Sequence, residues 1–435
     1  MQDIHKGKNV PRLLIFDDQL FHNDGENYFG TDARITFLMG LKGQFKSVHF
    51  FAKAKLVSDK YINESFILNK DIKFHEISYP SGIIETMITR ILFLPKIIRQ
   101  IKNVYTKEDY MALPWPHPLS YLIWHTCKQW KNKPEFIFFA RQNGYTAMEH
   151  NKATLENNLK RSMLHRMGSY FYKNASNEIV FAVGKRMKER YENKIAKIYE
   201  IQFSRISEKD IAKAKSSSGN AKLKLLYVSG HTDYGLESML LSMESLLKIG
   251  VDLELHIIGR CKDISTWQLL VNQKALTNNV YFHPEINHAN GLYSYYANSD
   301  LMVVPVLKGN MPKSITEALS FGLPIVAPYS IAVEDVLTHQ ENAWLFKTND
   351  FCSMVDGIYY LYKNKKIREG LKASFDLQNK VYTIEYQYKI LRNALADAHQ
   401  RPTIKTGNIV KLNNDGANQG LKPSKVSMQW LMRLL

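Results

Sequence analysis

Three side chains suited to a phosphate and a sugar lie close together in the segment KGNMPKSITEALSFGLPIVAP, residues 308–328. Lys313 supplies a positive charge and Ser314 a hydroxyl, and a phosphate oxygen can accept a hydrogen bond from either. Glu317 follows about one helical turn later and can accept hydrogen bonds from sugar hydroxyls. The segment therefore predicts a site for a phosphorylated ligand. The alternative is an ordinary helix start with a solvated lysine and glutamate.

The flanking residues predict the elements that would hold these groups. An apolar run at 301–306 predicts a strand, Gly309 and Asn310 predict a turn, and Pro312 predicts the first helical position. The free N–H groups of a first helical turn, at the positive end of the helix dipole, attract anions. The candidate ligand-binding residues of this unit are Met311, Lys313, Ser314, Ile315 and Glu317.

A second cluster of reactive residues lies in the first half of the chain, at FFARQNGYTAMEH, residues 138–150. It follows a predicted strand, so Arg141 could hold an acceptor phosphate or a developing negative charge at the sheet edge. Asn143 is an amide and cannot act as a general base. Glu149 and Asp17 are the candidate acids instead. Each of these residues also has a simpler interpretation as a surface or capping residue.

The composition is that of a well-packed globular protein with excess positive charge. A length of 435 residues predicts two domains of roughly 200 residues each. The net charge of +17 indicates an anionic partner, which could be nucleic acid, an anionic membrane face or a phosphate-rich substrate. We find no recognised nucleic-acid-binding module and expect no nucleic-acid partner. Three widely spaced cysteines argue against a disulfide framework or a zinc site and fit a reducing cytoplasm.

One stretch has the composition of a helix at a membrane surface. Residues 83–107 mix apolar and basic side chains, with a predicted break at Pro95. The alternative is a helix that packs its apolar face on the core and keeps its charges outside. No segment is long and apolar enough to span a bilayer, and the first residues make a poor signal peptide. The last residues, MQWLMRLL, are a weaker anchor candidate.

Strands and helices alternate along the chain in two successive runs, which predicts two doubly wound α/β domains. The first run opens with a strand at 13–16 and a Gly/Asn/Asp-rich loop through Gly30. The predicted units are a first domain at 1–206, a polar linker at 207–222, a second domain at 223–378, a helix crossing back at 379–399, and a basic tail at 400–435.

The segment 308–328 resembles the nucleotide-sugar signature of GT-B glycosyltransferases, especially glycosyltransferase family four (glycosyl transferases group 1). In that family two glutamates flank a Gly-rich loop, an Ala/Leu helix follows, and a Gly-Leu-Pro turn leads into a strand. Glu317 matches the second glutamate, while Gly309 stands where the first would be. The resemblance implies the GT-B fold, in which two Rossmann-like domains face a central cleft.

Other segments extend the resemblance over most of the chain. Residues 227–240 stand where the family grips the diphosphate, 255–261 where a strand ends at the nucleotide crevice, and 279–305 where a turn holds the base. The further donor-binding residues that this implies are Gly230, His231, Gly259, Arg260, Glu285 and Ile286. Residues 138–150 are also similar to the xanthan-type glucuronosyltransferases, which have an aspartate where this chain has Asn143.

The resemblance implies a glycosyltransferase that uses a nucleotide-sugar donor, expected to be a UDP-sugar, with no tightly bound cofactor and no obligatory metal. The acceptor would be a glycan or a lipid-linked glycan in bacterial exopolysaccharide, capsule or lipopolysaccharide synthesis. The protein would then be cytoplasmic and peripheral on the inner membrane. Two alternatives remain open: a GT-B-like binding or scaffold protein that has lost catalysis, and a UDP-sugar epimerase.

Overall fold

The computed structural model describes residues 11–30, 37–38, 45–57, 66–67, 72–78, 84–107, 109–141, 155–214, 222–230, 234–286, 291–307, 312–330, 333–348, 350–376 and 379–400. Within these residues the strands form two separate sheets, one in each half of the chain. The fold class predicted from the sequence is therefore confirmed as two α/β domains. The domain boundaries themselves stay a prediction.

The first domain is built on nine described strands and four helices. Its strands are β1 Leu13–Asn23, β2 Tyr28–Gly30, β3 Val48–Leu56, β4 Phe66–Ile67, β5 Ile72–Glu76, β6 Tyr110–Trp115, β7 Glu135–Ala140, β8 Ile179–Val183 and β9 Lys197–Ile201. Its helices are α1 Ile84–Val104, α2 Pro118–Cys127, α3 Leu155–Asn174 and α4 Lys185–Tyr191.

The first sheet is parallel except for the short strands β2 and β4, which pair antiparallel. From β1 the chain moves outward to β3 and β5, and then returns to β6, β7, β8 and β9 on the other side of β1. Side chains of all four helices pack on one face of the sheet, around Trp115, Trp124 and Phe171, which are fully buried. The direction of the strand order therefore reverses between β1 and β6, at the centre of this sheet.

The second domain repeats this arrangement with an all-parallel sheet. Its strands are β10 Leu223–Val228, β11 Leu253–Ile258, β12 Val280–His283, β13 Leu301–Val303, β14 Ile325–Pro328 and β15 Ala343–Phe346. The helices that follow α4 are α5 Glu208–Lys213, α6 Leu236–Lys248, α7 Ile264–Gln273, α8 Leu292–Asn298, α9 Lys313–Ser320, α10 Phe351–Lys363, α11 Lys365–Asp376 and α12 Ile384–Gln400. The strand order is β12-β11-β10-β13-β14-β15, and it reverses between β10 and β13.

The last helix, α12, connects the second domain back to the first. Its residues Leu391, Ala394 and Leu395 are buried in the core on the face of the first sheet opposite α1–α4. The side chain of Gln387 accepts a hydrogen bond from the backbone N–H of Gln202 at 2.7 Å, just after β9. This helix therefore completes the first domain from the far end of the chain.

An ion-pair cluster also joins the two domains. The Arg186 guanidinium, in the first turn of α4, contacts the carboxylates of Glu334 and Asp335 from the second domain. The Arg186 backbone N–H donates to Asp335 Oδ1 at 3.2 Å. The carboxylate of Asp335, from the second domain, thus caps the N-terminus of α4.

Two local predictions are wrong. The segment predicted as a loop after 13–16 is a strand and hairpin, since β1 runs through Asn23 and pairs with β2. The predicted polar linker contains the short helix α5, whose N-terminus is capped by a reciprocal capping box of Ser207 and Asp210, and its assignment as a linker stays a prediction. Helix α1 is not broken at Pro95. Pro95 is exposed, and the buried side chains of Ile97 and Ile101 hold the next turn on the core despite the lost N–H.

Candidate functional site

The carboxyl ends of β10 and β13 define the candidate site of the second domain. In open α/β sheets, ligands bind in the crevice where the strand order reverses, and this sheet reverses between these two strands. Ser229 and Gly230 follow β10, and Gly230 is exposed. Pro305 and Val306 follow β13 on the way to α9. The loops after β10 and β13, which were predicted to bind phosphate, therefore follow neighbouring strands at the same edge of the sheet.

Gly235 brings these two loops into contact. It precedes α6 with φ 76°, a left-handed conformation that glycine adopts without strain. A Cβ at this position would lie 2.8 Å from Val306 Cγ2 and 2.9 Å from Pro305 Cβ. The close approach of the backbone at the switch point therefore requires glycine here, which the sequence analysis did not single out.

Helix α9 presents a positively charged start to this crevice. In the described part of its loop, the residue before the helix is Pro312, whose side chain forms no capping hydrogen bond. The first turn contains no acid and instead carries Lys313, which is exposed, and Ser314, which is buried. The Lys313 charge adds to the positive end of the helix dipole, and together they attract an anion to this end of α9. These features are consistent with the predicted phosphate site.

Glu317 is buried rather than open to solvent, with 7% of its surface exposed. The hydroxyl of Tyr296, on α8, donates a hydrogen bond to Glu317 Oε2 at 2.8 Å. Tyr296 is itself buried and its ring stacks on Phe321. Burial raises the pKa of Tyr296 well above its usual value, and the Glu317 charge raises it further, so Tyr296 stays a donor. Tyr296 therefore orients the Glu317 carboxylate, a role that sequence reasoning missed.

The loops after β11 and β12 are joined at the same edge of the sheet. Gly259 follows β11 with φ 142°, and Arg260 Nε lies 2.9 Å from Glu285 Oε2. Ile286 is half-buried beside Glu285. The structure thus brings together two of the residues predicted around the nucleotide. The predicted assignment of Glu285 and Ile286 to a base pocket stays a prediction.

In the first domain, the candidate residues lie at a bulge in the central strand. The pairing of β1 with β3 shifts register between Phe16 and Leu20, so Asp17 and Asp18 are displaced from the regular ladder. Asp17 is buried, with 1% of its surface exposed, and its Oδ1 accepts the Gln19 N–H at 2.8 Å. The structure therefore holds the Asp17 carboxylate inside the domain, and its predicted catalytic role stays a prediction.

Arg141 pairs with Asp18 across the carboxyl ends of β7 and β1. Arg141 Nη2 lies 2.9 Å and 3.0 Å from the two Asp18 carboxylate oxygens. His117, on the loop between β6 and α2, places its ring 5.6 Å from that of Phe16 at the same edge. Neither Asp18 nor His117 was predicted from the sequence as a site residue. Their position next to the switch between β1 and β6 marks them as cleft residues.

Four predicted site residues lie outside the described residues: Asn143, Glu149, His231 and Met311. The same holds for Gly309 and for the tail after residue 400. Ile315 is described, and its side chain is buried in the core beside α9. Its predicted role in donor binding stays a prediction.

From Leu92 onward, where its side chains are described, helix α1 keeps its basic residues outside and part of its apolar surface inside. Phe93, Leu94, Ile97, Ile98 and Ile101 pack on the core of the first domain, whereas Lys96, Arg99 and Lys102 are exposed. Leu92 is an exception, with 71% of its surface exposed. No described helix is long and apolar enough to cross a membrane. Within the same residues, no three metal-ligating side chains are grouped so that they could hold an ion.

Comparison with known proteins agrees with this geometry. Residues 208–374 match the family model of glycosyl transferases group 1. An uncharacterized glycosyltransferase of Haemophilus influenzae is 28% identical over 152 residues, which cover 35% of this chain and 42% of that relative. The alignment thus spans less than half of the relative. The resemblance predicted from the sequence is confirmed for the second domain, whose residues match the model of glycosyl transferases group 1.

Solved structures extend the likeness of fold over nearly the whole chain. Sucrose-phosphate synthase from Thermosynechococcus elongatus has a TM-score of 0.60 at 14% identity, covering 89% of this chain and 100% of that one. HepE of Anabaena, solved in complex with UDP, has a TM-score of 0.59 at 11% identity, covering 89% of this chain and 100% of that one. At such identities the likeness shows the fold alone, and that fold is GT-B.

Proposed function

We propose that the chain is a glycosyltransferase that moves a sugar from a nucleoside diphosphate donor to a glycan or lipid-linked acceptor. The observation that carries this proposal is the start of α9. There the N-cap residue Pro312 provides no side-chain hydrogen bond, and Lys313 lies in the first turn. This helix start lies at the strand reversal of a domain that matches glycosyl transferases group 1. UDP is the favoured nucleotide, because HepE, which shares the fold, has been solved with UDP and with UDP-glucose.

In this proposal the diphosphate rests on the first turn of α9. Its charge is balanced by the helix dipole and by Lys313, and Ser314 supplies its backbone N–H to an oxygen. The helix dipole, Lys313 and the Ser314 N–H stabilise the departing nucleoside diphosphate most strongly, because negative charge builds on it as the bond to the sugar breaks. Glu317, held by Tyr296, accepts hydrogen bonds from hydroxyls of the sugar or ribose. Arg260 and Glu285 flank the base on the loops after β11 and β12.

The acceptor would enter from the first domain. The Asp18–Arg141 pair and His117 lie at the carboxyl edge of its sheet, at the strand reversal. We further propose that the acceptor belongs to bacterial cell-surface polysaccharide synthesis and that the protein sits on the cytoplasmic face of the inner membrane. The exposed Lys96, Arg99 and Lys102 of α1 would attract anionic headgroups beside the exposed Leu92.

A binding protein without catalysis is the second candidate, and one sequence feature favours it. Gly309 stands where the family has a glutamate, so one carboxylate expected near the transferred sugar is missing. Such a protein would still bind nucleotide at α9 but would not turn it over.

The two candidates are separated by measuring UDP release from a panel of UDP-sugars with a bacterial membrane extract as acceptor. Release that depends on the extract supports the transferase. Binding of UDP without release for any sugar supports the binding protein. Conversion of the UDP-sugar without the extract would instead identify an epimerase and overturn both.

A further inference from the structure

A basic groove lies on the first domain, away from the site described above. It has a volume of about 300 Å³ and runs between α3 and the end of α4. Three of its lining residues, His165, Ser169 and Lys173, are exposed and four residues apart, so they form one stripe along α3. Arg190 and Lys194 line the opposite side. We call this feature the α3–α4 groove.

Small and aromatic residues give the groove its shape. Gly168 lines the groove and is buried in the α3 wall. The rings of Tyr172 and Tyr191 lie 5.1 Å apart, and Tyr191 is buried against Phe171 in the domain core. Lys194 Nζ lies 5.1 Å from the centre of the Tyr172 ring, a cation–π contact. The groove is therefore walled by packed rings rather than by mobile side chains alone.

The charge of the groove is of one sign. Among the described residues that line it, Lys173, Arg190 and Lys194 are cationic and none is acidic. These cationic side chains give the groove a positive potential that attracts an anion. The Ser169 and tyrosine hydroxyls add neutral donors. Several cations together with hydroxyl donors fit the oxygens of a phosphate group.

The position of the groove separates it from the donor site. Lys173 lies at the end of α3, shortly before β8, and Lys194 lies shortly before β9. Both are thus near the amino ends of the strands, whereas the Asp18–Arg141 pair and the crevice lie at the carboxyl ends. A ligand bound here does not overlap the acceptor and donor positions proposed above.

We propose that the α3–α4 groove is a second binding site, which takes a phosphate group of a ligand distinct from the sugar donor. The phosphate lies between Lys173 and Lys194, with Arg190 beside it and Ser169 donating a hydrogen bond. The same chemistry is offered by the headgroup of an anionic phospholipid and by a soluble phosphorylated compound. The proposal does not depend on the transfer reaction, because it rests on this groove alone.

Lysine footprinting on the full chain tests the proposal at the groove itself. The protein is acetylated briefly with and without a probe, and the modification of each lysine is read by mass spectrometry. The probes are inorganic pyrophosphate, vesicles of phosphatidylcholine with phosphatidylglycerol, and vesicles of phosphatidylcholine alone. Lys131 and Lys133, exposed on the turn before β7 in the same domain, are internal controls. Because the readout is local, pyrophosphate bound at α9 does not confuse the result.

We expect the modification of Lys173 and Lys194 to slow about tenfold with pyrophosphate or with the anionic vesicles, while Lys131 and Lys133 change less than twofold. Protection by pyrophosphate identifies a soluble phosphate compound as a sufficient ligand. Protection by anionic vesicles alone identifies the lipid headgroup. No protection by either probe, or equal protection of the control lysines, overturns the proposal.

A paired variant tests the same site by affinity. Lys173→Ala/Lys194→Ala should weaken binding to the protecting probe about tenfold, whereas Lys131→Ala/Lys133→Ala removes the same charge and should leave binding within twofold. Equal weakening in both variants would show a general charge effect and contradict a built site. If the first variant folds poorly, the lysine footprint of the unmodified protein still tests whether the groove binds phosphate.

Discussion

Replacement of Tyr296 by phenylalanine removes one hydroxyl from the buried contact that orients Glu317. The Tyr296 hydroxyl lies 2.8 Å from Glu317 Oε2, and both side chains are buried. Phenylalanine keeps the ring and its stacking on Phe321, so the change isolates the hydrogen bond. The consequence should appear both in stability and in the recognition of the sugar.

The size of the effect follows from the charge and burial of the acceptor. A hydrogen bond to a charged group contributes about 1.5–3 kcal/mol to stability, more than a neutral one. We therefore expect Tyr296→Phe to lower the free energy of unfolding by about 2 kcal/mol. For a domain of this size that corresponds to a fall in Tm of about 4–8 °C. A carboxylate that is no longer held in place should also bind the UDP-sugar about tenfold more weakly, while UDP alone changes less.

Calorimetric unfolding and titration with UDP and UDP-glucose would measure the two effects. Tyr281→Phe is the matched control, because the hydroxyl of Tyr281 donates to the Asn278 carbonyl at an exposed site of the same domain. That variant should stay within about 0.5 kcal/mol of the unmodified protein. If both variants behave alike, Tyr296 does not orient Glu317 in the way described.

Two further predictions concern the packing of the site loops and the response to acid. Gly235→Ala should lose about 2–4 kcal/mol of stability and weaken UDP binding, since it adds both a strained φ and a clash with Val306. Gly250→Ala, with φ 81° and no atom within 4 Å of the added Cβ, should lose only about 1 kcal/mol, and equal losses would contradict the clash. Burial lowers the pKa of His49 to about 4, helped by the neighbouring His75. Protonation of His49 therefore favours the unfolded chain. The contribution of neutral His49 to the free energy of unfolding is complete above pH 6.5 and is lost as the pH falls toward 4. Between pH 7.5 and pH 5 the loss is about 2 kcal/mol. The free energy of unfolding measured with urea should therefore change by about 2 kcal/mol less between these two pH values in His49→Gln than in the unmodified protein. An unchanged dependence would show that His49 is not responsible. Burial raises the pKa of Glu178 to about 7 and acts in the opposite direction, so the difference between variant and unmodified protein is the quantity to compare.

Most of the regular elements could be predicted from local sequence. The strands β6 and β7 match their predicted bounds, because continuous apolar runs with clear boundaries mark buried parallel strands. Helix α9 starts at Lys313, one residue later than predicted, because Pro312 has an extended backbone and precedes the helix as its N-cap. The strand β9 and the helix α7 were not predicted, since KIYEI and ISTWQLLVNQ have weak patterns that tertiary packing overrides.

The side-chain partners of the candidate site could not be predicted in the same way. Arg141 pairs with Asp18, which is 123 residues away in the sequence, and Tyr296 forms a hydrogen bond with Glu317, which is 21 residues away. These pairs form because parallel strands bring distant loops to one sheet edge, which composition and periodicity do not encode. The tyrosine-rich run LYSYYAN was the one available signal for Tyr296, and it does not indicate which ring would face the glutamate.

Titration calorimetry of UDP against the unmodified protein and Lys313→Ala tests the central claim most directly, because the claim places a diphosphate on the first turn of α9. Lys366→Ala, at an exposed lysine of α11 in the same domain, is the matched control. The loss of one charge-assisted hydrogen bond predicts UDP binding about tenfold weaker in Lys313→Ala and unchanged in the control. Equal affinity for UDP in all three proteins, or no binding of UDP by the unmodified chain, would contradict the account.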